Sequence, residues 1–144
     1  MSSKTFAIDA APGLIKRALG LAALTADAYV GSQHDQGDAA ITDLVCVVDI
    51  ESCKVSAGDE TYTLRLVGSN SADRSDAQIL DTLELGDAGT IPVATVDTVP
   101  GDRFVMRART ERQDTSFRYI DLHLDVAGTS PSIGFGAFLS KEIV

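Results

Sequence analysis

The 144-residue chain has no tryptophan, two cysteines, two histidines and only twelve basic side chains against twenty-one acidic ones. Each scarcity excludes something. A formal charge of −9 opposes condensation onto phosphate backbones or anionic lipid, so neither nucleic acid nor a membrane surface is an expected partner. Cys46 and Cys53 are too few for the disulfide framework of a small secreted domain, and their spacing, without neighbouring histidines, does not suit zinc. No apolar run approaches the roughly 20 residues that span a bilayer, which leads us to expect a soluble chain. Without tryptophan, and with tyrosine only at 29, 62 and 119, the aromatic platforms that stack on sugars are in short supply.

Catalytic signatures are equally thin. Nucleophilic catalysis needs a Ser or Cys beside a His that a third group orients. His123 falls between Asp121 and Asp125 on the polar side of an alternating run, where alternation alone explains it. His34 lies in the polar, turn-rich Gly31–Asp38 segment, and no Gly-x-Ser-x-Gly elbow accompanies it. The glycines of Gly134-Phe135-Gly136 sit inside a strand pattern with no helix after them, so they do not form a phosphate-binding loop. A metal site would draw on His34, Asp35 and Asp38 or on Asn70, Asp73 and Asp76, yet the second loop lacks the ligand spacing of a calcium loop and carries Arg74 at its middle. The reading is of a protein that is not an enzyme and carries no cofactor.

What is present is strand pattern. Leu44–Ile50 is apolar at nearly every position, which predicts a central strand buried on both faces or one whose second face meets another subunit. Thr61–Gly68 alternates, with Tyr62, Leu64 and Leu66 on one side. Gln78–Leu85 reads as extended. Arg103–Arg109 turns Phe104, Met106 and Ala108 inward. Arg118–Val126 turns Ile120, Leu122, Leu124 and Val126 inward, and Ile133–Leu139 turns Ile133, Phe135, Ala137 and Leu139 inward. Cys46, among valines, is expected as a small buried hydrophobe. At least six short strands without crossover helices predict an all-β fold: an antiparallel β-sandwich or jelly roll over residues 39–144, preceded by an extended N-terminal arm, residues 1–38.

Within the arm, Leu14, Ile15, Ala18, Leu19 and Ala22 recur at helical spacing, suggesting one or two turns of amphipathic helix too short to be stable alone. Lys16–Ala28 imitates a secretory signal, but its basic pair follows fifteen residues that include Asp9, Pro12 and Gly13, and its apolar stretch is mostly alanine. A cytosolic arm fits better. The arm's apolar side chains Phe6, Ile8, Leu14, Ile15 and Leu19 are the candidates for meeting a partner. Arg103, Arg107, Arg109, Arg112 and Arg118 fall within sixteen positions of an acidic chain, and Arg107 and Arg109 share a strand face. They form either cross-strand pairs with acids such as Asp121 and Asp125 or a basic dock for an acidic partner.

The segment Arg118-Tyr119-Ile120 through Val126-Ala127-Gly128-Thr129-Ser130-Pro131 to Ile133-Gly134-Phe135-Gly136-Ala137-Phe138-Leu139 resembles the ending of capsid cement (decoration) proteins of tailed bacteriophages, of the Bordetella-phage type. The Ile91-Pro92 loop, the Pro100–Phe104 strand start and the order of Leu44–Ile50 and Thr61–Ser69 are similar in outline. The resemblance implies a jelly roll and a structural virion protein on the capsid exterior, made in the host cytoplasm. It also implies binding to the major capsid protein as a symmetric homo-oligomer, dimer or trimer, that reinforces subunit junctions. A reading from another class is a calcium- or carbohydrate-binding β-sandwich adhesion module.

Overall fold

The computed structural model describes residues 5–6, 14–91 and 96–143. Ten strands occur among them: β1 (Thr5–Phe6), β2 (Ile15–Arg17), β3 (Ala28–Ala40), β4 (Asp43–Cys53), β5 (Thr61–Ser69), β6 (Gln78–Gly86), β7 (Arg103–Arg109), β8 (Glu111–Arg112), β9 (Thr115–Ala127) and β10 (Ile133–Ile143). They form two antiparallel five-stranded sheets packed as a β-sandwich. One sheet has the order β1-β10-β4-β7, with β2 also on β10; the other has the order β3-β9-β5-β6, with β8 on β9. The pairings are nested. β5 pairs with β6, β4 with β7, β3 with β9 and β2 with β10.

The core lies where the alternation places it. Cys46, Val48 and Ile50 of β4, Phe135, Ala137 and Leu139 of β10, and Met106 of β7 meet Tyr62, Leu64 and Leu66 of β5 and Ile120, Leu122 and Leu124 of β9. Each fully buried side chain of this size contributes roughly 1.5–3 kcal/mol. Val45 and Val47, on the other face of β4, are buried as well, as the unbroken apolar run requires. Phe104, Ala108 and Val126 pack against the cluster from its margin. The phenol of Tyr62 closes one end, donating to the Lys54 carbonyl (2.8 Å) and accepting from the Ser132 amide (2.9 Å).

All six strands read from the pattern are present, five with longer bounds and Arg103–Arg109 unchanged. The N-terminal region differs. Where helical spacing suggests a short helix, Ile15–Arg17 is a strand on β10, and no helix occurs among the described residues. A helix of two turns would leave most of its backbone groups unbonded, whereas the edge of β10 offers ready partners. Residues 28–38, expected within the arm, belong to β3 and pair with β9. Phe6 pairs through its backbone with Glu142. Ile8 and Pro92 lie outside the described residues.

Candidate partner-binding surface

Residues 14–24 run along β10 and are held at several points. The Leu139 amide donates to the Leu14 carbonyl (2.7 Å), and Leu24 and Ile133 exchange hydrogen bonds of 2.7 and 3.0 Å. Between them, β2 pairs Ile15 with Phe138 and Arg17 with Ala137. The buried Arg17 guanidinium donates to the Phe135 carbonyl (2.7 Å) and to the Ala22 carbonyl, with its carbon 5.3 Å from the centre of the Phe135 ring. The Gly20 amide donates to both Glu51 carboxylate oxygens (2.9 and 3.1 Å).

This fastening presents apolar side chains to solvent. Ile15, Leu19 and Leu21 are 42, 60 and 57% exposed. Leu19 lies over Gly136, where a Cβ would come within 2.7 Å of its Cδ2, so the glycine makes room for the leucine. Leu14, by contrast, packs against the core. Of the arm candidates, the fold thus brings Ile15 and Leu19 onto one exposed segment and adds Leu21. The stripe drawn through residues 14, 15, 18, 19 and 22 leaves out Leu21, although that residue follows Leu14 by seven positions and Ala18 by three. A short apolar run on an edge, punctuated by glycine, was the usable signal.

The arginines do not make one patch. Arg103 grips Asp49 with two hydrogen bonds (2.6 and 3.0 Å), and Arg118, in the opposite sheet, grips Asp35 likewise (2.8 and 3.0 Å). That guanidinium holds the Asp35 carboxyl down at about 2. Arg112 donates to the Ile79 and Leu80 carbonyls, covering part of the free edge of β6. Asp121 and Asp125 pair with Arg74 and Arg65 rather than with this group. Arg107 and Arg109 do share the outward face of β7, where they flank a shallow cavity of about 240 Å³ lined also by Asp43, Leu44 and Ala108. The Arg107 amide donates to Asp81 (3.1 Å).

The remaining polar candidates are tied into the scaffold. His123 meets the Tyr29 ring edge-on with centroids 4.8 Å apart, and burial, then Arg65, lowers its pKa. His34 is lowered by burial and then by the Lys16 ammonium. In the 70–76 loop, Asp76 accepts from the Asn70 and Ser71 amides and Asp73 from the Ser75 amide, while Arg74 leaves the loop to reach Asp121 (3.0 Å). Among the described residues, no three His, Cys, Asp or Glu side chains converge as metal ligands, and no helix is long and apolar enough to cross a membrane. Both cysteines are free thiols, and burial pushes Cys46 up to about 12 and Cys53 up to about 11. Neither is a thiolate at neutral pH.

Compared with protein-family models and with curated proteins, the chain matches none.

Proposed function

We propose that the protein is a structural virion protein of the capsid cement type, which binds the outside of a tailed-phage shell and stabilises contacts between major capsid protein subunits. The observation that carries this reading is the row of Ile15, Leu19 and Leu21, exposed yet fastened to β10 by backbone bonds and Arg17 and to β4 by Glu51. Apolar side chains exposed on a segment whose closed position is set by hydrogen bonds favour a partner surface, because docking covers them with less ordering than a free chain end would need. Arg107 and Arg109 on β7 supply a second, polar contact that sets orientation.

The nested pairing supports a jelly roll. With the short β1 and β8 set aside, β2-β10-β4-β7 faces β3-β9-β5-β6, the order of a hairpin of four strand pairs rolled upon itself. Jelly rolls serve in viral capsids and in lectins, so the fold alone does not choose between shell and sugar. The resemblance of the sequence from Arg118 to Leu139 to the ending of cement proteins favours the shell. Joined as a dimer or trimer, such a protein engages several identical lattice sites at once, and binding only the mature lattice stabilises it by mass action.

Co-sedimentation with intact, undecorated tailed-phage shells tests the reading. Saturable, stoichiometric binding that raises the shell's melting temperature is expected. Failure on every shell, together with retention on polysaccharide or a melting temperature that rises with calcium, would replace it with the adhesion module.

A further inference from the structure

Lys16 follows Ile15 in β2, and its side chain crosses to the other sheet. It is 2% exposed, and its Nζ donates to the Ser32 carbonyl (2.7 Å) and the Ile120 carbonyl (3.1 Å). A local irregularity makes this possible. β3 pairs Val30 with Leu122 and then His34 with Ile120, so residues 31–33 bulge opposite Asp121 alone and turn the Ser32 carbonyl away from the ladder. Both acceptors are neutral. The nearest acid, Asp121, is already engaged by Arg74 and by the Gln33 amide (3.0 Å each), and among the described residues no carboxylate pairs with Lys16.

We propose that residues 14–24 are a displaceable strap, which opens from the sandwich as a unit because closing it buries the ammonium of Lys16 without a carboxylate partner. Two features delimit the strap. It is bonded to β10 at Leu14, β2 and Leu24, with the Arg17 guanidinium on the Phe135 carbonyl, and to β4 through the Gly20 amide on Glu51, and it reaches the second sheet through Lys16 and the close approach of Gly31. Ile15, Leu19 and Leu21 ride on it, so opening removes the exposed apolar row. The strap stands on this geometry whether or not a shell is the partner.

Opening is linked to proton uptake. Burial lowers Lys16 to about 8 in the closed position, while Asp121 of β9 and Cys46 of β4 raise it and Arg74 lowers it. His34 of β3 faces it as well and is itself lowered. Once open, Lys16 returns to its ordinary value near 10.5, so between pH 8 and 10.5 the open strap binds the extra proton. Closure therefore tightens as pH rises through that window.

Amide hydrogen exchange by NMR on the full chain, from pH 7 to 9.5 and corrected for intrinsic rates, reads this directly. The Leu24 and Leu139 amides, which the strap protects, are compared with Leu64 at the centre of the core. Below pH 8 the strap amides should exchange at least roughly tenfold faster than Leu64, and their protection should rise about tenfold or more between pH 8 and 9.5. Lys16→Met should abolish the rise. If that variant does not fold, the native series still decides. Strap amides that exchange with Leu64 at every pH, or whose protection is flat above pH 8, would overturn the proposal.

Discussion

A lysine buried at 2% exposure, an arginine buried at 7% and a carboxylate at 2% sit within the same corner of this molecule, and each is answered differently. Arg17 finds carbonyls and a ring, Asp121 finds Arg74 and Gln33, and Lys16 finds carbonyls alone. Lys16 thus carries a pH signature. Its folded value near 8 lies below its ordinary 10.5, so its contribution to stability is complete above 10.5 and is lost as pH falls through 8. The full contribution is on the order of 3 kcal/mol. The two thiols act in the opposite sense, since values raised above 9 lose stability as pH climbs. Urea denaturation of the native chain and of Lys16→Met at pH 7, 8, 9 and 10 separates them: the difference between the two proteins should shift toward the native chain as pH rises. Gly31 offers a steric test at the same corner. With φ at +74°, its added Cβ would lie 2.1 Å from the Lys16 carbonyl oxygen, so Gly31→Ala should cost more than about 2 kcal/mol. Gly37→Ala, at φ +86° but in open space, should cost only about 1 kcal/mol by the same denaturation measurement.

Between elements, the critical crossing is the two-residue link from β3 to β4, which carries the chain from one sheet to the other. Thr110 clamps it. The Thr42 amide donates to Oγ1 of Thr110 (2.8 Å), that hydroxyl donates to the Ala40 carbonyl (2.6 Å), and the Thr110 amide donates to the Thr42 carbonyl (3.0 Å). Thr110→Val keeps the shape, leaves the Thr42 amide without this acceptor and the Ala40 carbonyl with only the Gln36 side-chain amide (3.4 Å), and should lower stability by about 2 kcal/mol in chemical denaturation. Of the six strands legible in the sequence, β4, β5, β9 and β10 bury one or both faces and record that burial in alternating or continuous apolar residues, whereas β6 mixes periods and reads only as extended. β3 left no such record. It is an edge strand broken by bulges, with Ser32, Gln33, Asp35 and Gln36 at positions where a regular strand would show its period. Its ladder comes from β9, not from its own composition. The helical spacing at residues 14–22 misled for a related reason: a three-residue strand followed by a loop has too few positions to display a period of two. The site was legible in part. Ile15, Leu19, Arg107 and Arg109 were visible as residue types, whereas the Lys16 crossing and the dispersal of the arginines depend on contacts between residues 33 to 104 positions apart.

At the scale of the whole molecule, an acidic sandwich with a net charge of −9 displays a fastened apolar row and, on the outward face of β7, Arg107 and Arg109. On the proposed reading, this surface is the one that meets a fixed lattice. The account rests on the apolar row being the contact. The direct measurement is co-sedimentation of the native chain and of a Leu19→Ser/Leu21→Ser variant with the same undecorated tailed-phage shells, with the melting temperature of each free protein recorded alongside. Both leucines are more than half exposed, so the variant should melt within a few degrees of the native chain. Its shell affinity should fall at least about tenfold. A variant that binds the shell as tightly as the native chain, or a native chain that binds no shell, would contradict the account.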